Sequence, residues 1–313
     1  MSTAVLLLHG YLTGPDDWDS VIPELKEMYD EVNVFRNPGH ARGDEREKLD
    51  YSKFTHDATY AYLIAELDYL FAKHTEVDII GFSMGGAMAV WAAANYPVRK
   101  ISIIAPAFRF PRLGIFFKHF VYRAKMNKLK KMRISPRHAA SFEAEINRYD
   151  EDHRLAVKLL FSRFFPHITP HTVRTLYLNT KKGQKAIKKV KCPVQVLWGH
   201  YDEFISERTI RIFVKRLASD DITVVTYGNV NHTMMLSVTG GAIVRDVLAF
   251  LRGKKVEEIK PENAAEDRHV THIFAENDNG EKIKRVKSFK TGTQVIEGRV
   301  ELVEETTNSV APH

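Results

Sequence analysis

Val77-Asp78-Ile79-Ile80-Gly81-Phe82-Ser83-Met84-Gly85-Gly86 runs directly into Ala87-Met88-Ala89-Val90-Trp91-Ala92-Ala93-Ala94. A short, mostly β-branched apolar run leads into Gly-x-Ser-x-Gly, and a small-residue helical run follows it. A serine hydroxyl is a poor nucleophile and must stand proud of the backbone beside a base and beside donors for an oxyanion. A sharp strand-to-helix turn does this, at the cost of bringing two segments close together. Glycine at 81, 85 and 86 removes the side chains that would clash there. The helix that begins after Ser83 also turns its N-terminal amides and positive dipole end toward the site. The motif occurs by chance in unrelated chains, so its partners decide its meaning.

Working outward, strands and helices alternate on both sides of the motif. Residues 3–8 read as a buried strand ending in His9-Gly10-Tyr11-Leu12-Thr13-Gly14. Residues 15–29 read as a helix with Trp18, Val21, Ile22 and Leu25 on one face, and 32–35 as a strand entering Asn37-Pro38-Gly39-His40. A long amphipathic helix over 56–73 precedes the motif, and a strand over 100–105 follows its helix. The rhythm stops at 107 and resumes with a strand at 193–198, a helix at 206–217, a strand at 222–227 and a helix at 240–251. This pattern predicts an α/β class with a mostly parallel central sheet and helices on both faces.

The predicted core therefore spans 1–106 and 191–252, with 107–190 inserted between two strands of one sheet. Residues 253–313 turn polar and charged. Stretches 270–274 and 282–289 flank Asn277-Asp278-Asn279-Gly280, a hairpin signal, and 293–305 has similar pairing potential. The tail reads equally well as a small β appendage or a flexible extension.

Two partners fit the serine. Gly199-His200-Tyr201-Asp202-Glu203 follows the strand at 194–198, and Gly228-Asn229-Val230-Asn231-His232-Thr233-Met234-Met235 follows the strand at 222–227. Asp202 and His232 thus sit just past the carboxyl ends of their strands, as Ser83 does, at the edge where sites assemble in open α/β sheets. A loop aspartate is more often a helix cap, and His232 is one of 14 histidines. Three fitting residue types at three fitting positions outweigh those readings, with Glu203 and His200 as runners-up. The order Ser, Asp, His is that of the α/β-hydrolases. In this scheme His232 takes the Ser83 proton, Asp202 holds its tautomer, and water releases the acyl-enzyme. The oxyanion donors are the Met84 N–H and the Tyr11 N–H, with Leu12 second, and His9 is read as a brace for that loop. Leu12, Phe108 and Met235 are the candidate substrate-contacting residues.

The chain resembles the α/β-hydrolase superfamily, specifically its carboxylesterase and monoacylglycerol-lipase-like branch. The resemblance is carried by Leu6-Leu7-Leu8-His9-Gly10-Tyr11, Asn37-Pro38-Gly39-His40-Ala41, the Gly81 to Gly86 motif, Gly199-His200-Tyr201-Asp202 and Asn231-His232. It departs at Ala41, where glycine is common, and at Asn231, where glycine or serine is common. It implies ester hydrolysis with no metal or organic cofactor, and a helical cap over an acyl pocket at 107–190. Thioesterases, lysophospholipases, peptidases, C–C hydrolases and acyltransferases share the fold, which does not itself select a substrate.

Charge marks the insertion as a discrete module. The chain carries +7, yet 107–191 holds 21 Lys and Arg against 5 Asp and Glu, a net of +16 that leaves −9 elsewhere. Phe108, Phe110, Phe116, Phe117, Phe120 and Tyr122 alternate with basic residues through 133. The plain reading puts aromatics inward and charges in water. The sharper one is peripheral contact with anionic lipid, presenting the pocket to lipid-like esters or to an anionic acyl substrate. No nucleic-acid motif accompanies the charge, so nucleic acid is not an expected partner.

The remaining signals are exclusions. Apolar content of 44% and charged content of 27% are ordinary for a globular protein. No apolar run approaches the roughly 18 residues a membrane span needs, and Ala4 to Leu8 is too short for a signal-peptide core. A lone Cys192 forms no intrachain disulfide and fits a cytoplasmic, reducing setting as a small packing residue. His269-x-x-His272 has metal-ligand spacing without a supporting cluster, so no metal site is expected. The rivals to a serine ester hydrolase are an acyltransferase on the same triad and a lipid- or partner-binding module that keeps the fold.

Overall fold

The computed structural model describes residues 2–108, 167–200, 202, 204–228, 230–232, 234, 240–254, 268–274, 284–285 and 304–305. Within them the chain runs β1 (Thr3–Leu8), α1 (Ile22–Lys26), β2 (Glu31–Val34), α2 (His56–Lys73), β3 (Glu76–Phe82), α3 (Met84–Asn95) and β4 (Ile101–Ile104). It continues with α4 (Pro170–Ala186), β5 (Val194–Gly199), α5 (Glu207–Arg216), β6 (Asp221–Tyr227), α6 (Gly240–Leu251), β7 (Arg268–Phe274), β8 (Lys284–Arg285) and β9 (Glu304–Glu305). Seven strands form one sheet in the order β2-β1-β3-β4-β5-β6-β7, parallel except for β7, while β8 and β9 pair separately.

Alternation along the strands builds a core on each face of the sheet. Ala4, Leu6 and Leu8 of β1 pack with α2, α3, α4 and α5, whereas Val5 and Leu7 pack with α1 and α6. The same split runs through β3, where Val77 and Ile79 face one layer and Ile80 and Phe82 the other. A strand apolar on both sides is what a parallel sheet between two helical layers requires. The expected fold class is the one observed.

Three stretches differ from the sequence reading. The helix expected over 15–29 is broken into a 3-10 turn at Pro15–Trp18 and the short α1. Pro23 lacks an N–H and tolerates only the first turn of a helix, so a second helix must begin beside it. The end of the expected insertion lies in the core layer. Leu176, Ala186, Ile187 and Val190 join the core beside α2 and α3, and a Cβ on Gly183 would stand 2.1 Å from the Ala87 carbonyl oxygen. The rest of that insertion, 109–166, is outside the described residues.

The third difference is β7. It pairs antiparallel with β6 along its whole length, from Asp221 against Phe274 to Tyr227 against Arg268. This part of the tail is a member of the main sheet, not a separate appendage. A buried ion pair anchors it: the Arg268 guanidinium reaches Asp246 of α6 at 2.7 and 2.8 Å, and the Tyr227 hydroxyl donates to the same carboxylate. Breaking one partner of a buried pair is costly, so the contact fixes the strand to α6. The turn expected at 277–280 is outside the described residues.

Candidate active site

Ser83 is the last residue before α3 and has φ 52 and ψ −111, a left-handed backbone that a serine rarely adopts. Three backbone hydrogen bonds hold it there. Its N–H donates to Ile104 at 2.8 Å, and its carbonyl accepts from Gly86 at 3.1 Å and Ala107 at 3.0 Å. The flanking glycines have the expected steric cause. A Cβ on Gly81 would stand 2.5 Å from the Gly85 carbonyl oxygen, and one on Gly85 would stand 2.0 Å from that of Leu8. Strand, turn and helix can close this tightly only without those atoms.

The structure brings Asp202 and His232 to this serine. Asp202 follows β5 and its side chain is fully buried; its Oδ1 accepts from the backbone N–H groups of Phe204 at 2.8 Å and Ile205 at 2.7 Å. Its Oδ2 takes the His232 Nδ1 at 2.7 Å. The carboxylate only accepts, so Nδ1 carries the proton and Nε2 is left to accept from Ser83 Oγ, 3.0 Å away. The rings of Phe204 at 5.0 Å and Phe82 at 5.5 Å flank the imidazole. Chemically this is a hydroxyl, a base aimed at it, and an acid orienting the base.

The loop facing the serine is braced at several points. His9 is fully buried, and its Nε2 accepts the Asn37 N–H at 3.2 Å, so Nδ1 carries the proton and donates to the Gly10 carbonyl at 3.0 Å. In a trans peptide the N–H points opposite the C=O, so this bond sets the direction of the Tyr11 N–H. Burial lowers the His9 pKa to about 4, which keeps the ring neutral in this role. The Tyr11 hydroxyl donates to Thr172 of α4 at 2.8 Å, and the Leu12 carbonyl accepts from Tyr51 at 3.1 Å. Sequence reasoning missed Tyr51 and Thr172, because neither lies in a motif or on an apolar stripe.

The other expected residues divide. Met84 opens α3 and is buried. Leu12 is buried at φ 57. Phe108 is buried and stacked on Phe213 of α5, with ring centroids 4.1 Å apart, so its ring is committed to the core. Met235 and the runner-up Glu203 are outside the described residues. His200 sits beside Trp198 and is not a member of the Ser83 chain of bonds. Burial pushes the Cys192 thiol up to about 12, which suits packing and not nucleophilic attack. The His272 Nδ1 bonds the Thr223 hydroxyl at 3.0 Å. Among the described residues no group of three or more His, Cys, Asp or Glu is placed to hold a metal. Among them, too, no helix is long and apolar enough to cross a membrane.

The profile of the family described as "Serine aminopeptidase, S33" matches residues 1–237. The chain belongs to that hydrolase family. The match spans the Ser83 turn, Asp202 and His232. Among curated relatives, monoacylglycerol lipase ABHD6 of Bos taurus is 24% identical over 251 residues, covering 74% of this chain and 71% of that protein. The Homo sapiens protein of the same name is 23% identical over 251 residues with the same coverage. Solved structures agree on an α/β-hydrolase fold. The Paleococcus ferrophilus monoacylglycerol lipase matches with a TM-score of 0.55 and 17% identity, over 80% of this chain and 94% of that one. The enol-lactonase of Burkholderia xenovorans LB400 matches with a TM-score of 0.54 and 16% identity, over 80% and 92%.

Proposed function

We propose that this hydrolase is a serine esterase of lipase-like type, cleaving carboxylic esters through an acyl-enzyme on Ser83. The observation that carries the reading is the unbroken chain from Ser83 Oγ through His232 to Asp202, at 3.0 and 2.7 Å. In this reading His232 Nε2 accepts the Ser83 proton as Oγ attacks the ester carbonyl. It then returns that proton to the leaving alcohol. Asp202 keeps Nδ1 protonated throughout and offsets the imidazolium charge. The Met84 and Tyr11 N–H groups receive the oxyanion, and water, deprotonated by His232, releases the acid. The curated relatives named monoacylglycerol lipase favour an acyl glyceride or similar lipid-like ester over the peptide substrate that the family's description names.

The test combines a fluorophosphonate probe with p-nitrophenyl esters from acetate to palmitate, in wild type and Ser83→Ala. The serine should label, and its removal should lower turnover by roughly 10⁴-fold or more. An inert wild type, or an equally active Ser83→Ala, removes the reading. Faster turnover of leucine p-nitroanilide than of any ester moves it to a peptidase.

The same substrate class gives the basic face a use. The exposed side of α4 carries Arg174, Lys181 and Lys185 around Tyr177, which is 43% exposed, Lys188 continues it in the 3-10 turn Ile187–Lys189, and α4 contains no acidic residue. We place this face on an anionic lipid surface, with the site one bond away through Thr172 and Tyr11. Flotation with phosphatidylserine-containing vesicles should occur at low salt, fade at high salt and weaken in Lys181→Glu/Lys185→Glu/Lys188→Glu. Absence of flotation at low salt sinks the idea.

A further inference from the structure

Leu12 is one of three non-glycine residues with positive φ among the described residues, and the other two, Ser83 and Ala105, lie at the serine turn and beside it. A leucine at φ 57 gains nothing from its own side chain there and must be held by its surroundings. Its carbonyl is bonded by the Tyr51 hydroxyl at 3.1 Å. Tyr51 is itself fixed. It opens a 3-10 turn, Tyr51–Lys53, capped by the Asp50 carboxylate on the Ser52 N–H. The Asp50 N–H donates to the Gly39 carbonyl at 2.9 Å. Gly39 has φ +72, and a Cβ there would stand 1.9 Å from the Asp50 oxygen. The Tyr51 ring meets the His40 ring edge-on at 4.8 Å and the His167 ring at 4.9 Å.

We infer that Tyr51 is a positioning residue for oxyanion stabilisation, a role that rests on the serine-esterase reading above. The loop is pinned in series: His9 holds the Gly10 carbonyl, Thr172 holds the Tyr11 side chain, and Tyr51 holds the Leu12 carbonyl. Without the last bond Leu12 is free to relax to negative φ. That relaxation turns the Tyr11–Leu12 peptide, which shifts the Tyr11 Cα and with it the N–H of the preceding Gly10–Tyr11 peptide, whose direction His9 sets but whose position the rest of the loop must hold. Donors that must be in place before charge develops lose their value when they wander. Tyr51 touches neither substrate nor the reacting atoms in this scheme. It acts only through the backbone it holds.

Tyr51→Phe keeps the ring contacts and deletes the hydroxyl alone. On a short p-nitrophenyl ester kcat should fall about ten-fold, less than for loss of an oxyanion donor itself, with KM within about two-fold. The inhibition constant of a trifluoromethyl ketone, which places an oxyanion at the same donors, should rise by the factor that kcat/KM falls. The melting temperature should stay within about 2 °C. Tyr62→Phe, an exposed tyrosine on α2, serves as the control and should change none of these. An unchanged kcat overturns the inference. So does a fall in kcat that comes with lost thermal stability and leaves ketone affinity untouched, since that marks a structural role. If instead Ser83→Ala retains full activity, the esterase reading has failed and the brace falls with it.

Discussion

Helices α3 and α4 lie against each other, yet one is plain in the sequence and the other is not. α3 is buried nearly all round, from Met84 through Val90 and again at Ala92, by small and apolar residues. α4 buries one face only, Thr172, Thr175, Leu176, Asn179, Thr180, Gly183 and Ala186, at helical spacing but with few apolar groups. Its polar atoms are satisfied inside. Thr175 donates to the Phe54 carbonyl at 3.1 Å, Thr180 to its own helix at Leu176, and Asn179 Oδ1 meets His56 at 2.7 Å. A helix can therefore be buried through hydrogen bonds and a close backbone approach, without the apolar stripe that advertises burial.

The comparison breaks most readily at the close approach. Gly183→Val puts a side chain where the Ala87 backbone stands, since even a Cβ would lie 2.1 Å from its oxygen. Backbone cannot give as a flexible side chain does, so α4 must move off α3. Urea unfolding should show a loss of more than about 3 kcal/mol, at the upper end for overpacked cores. A loss below about 1 kcal/mol would show that the two helices are less tightly engaged than the backbone distance says.

How much was legible follows from the same contrast. The serine turn, Asp202 and His232 each follow an apolar strand, and their order along the chain matches their gathering at one sheet edge. The structure puts them in a single chain of bonds. The parallel sheet was legible because two-sided burial leaves uninterrupted apolar strands. α4 was read into the insertion because hydroxyls and an amide replaced its aliphatic signal. The stretch 270–274 was read as one arm of a tail hairpin, and its place in the main sheet was missed for a related reason: an edge strand carrying Arg268, His269 and His272 looks like tail. Nothing local announces that Arg268 pairs with Asp246 of α6. Tyr51 and Thr172 were invisible because their work is done on backbone carbonyls and side chains far away in sequence.

Acid should separate the two sides of the α3 interface. The buried polar groups of α4 named above are not titratable, whereas His9, against whose backbone Gly85 of α3 packs, carries an imidazole. Burial lowers its pKa from 6.5 to about 4 in the folded chain. The unfolded chain therefore binds a proton below about pH 6.5 that the folded chain refuses, and stability falls with pH until about pH 4. That window corresponds to about 3 kcal/mol from this residue. His40, also held below its ordinary value chiefly by burial, adds in the same direction. Urea midpoints measured from pH 7 to pH 4 should fall in wild type and fall less in His9→Gln. Parallel slopes for the two would mean that His9 is not the group responsible.

The smallest change sharpens the comparison furthest. Thr175→Val keeps the shape of the side chain and makes the buried face of α4 more apolar, more like α3. If apolarity is what a buried helix face needs, the variant should be neutral or stabilised. If hydrogen bonding to the neighbouring layer replaces it, the Phe54 carbonyl loses its 3.1 Å donor and the protein should lose about 1 kcal/mol. Phe54 lies on the α2 side, ahead of that helix, and its ring meets His40, which in turn meets Tyr51 and His9. A change at Thr175 is therefore felt beneath the Tyr11 loop. Thr175→Ser, which keeps the hydroxyl and drops a methyl, separates the two causes. Stability retained by serine better than by valine assigns the α4 interface to the hydrogen bond, and the reverse order returns it to packing.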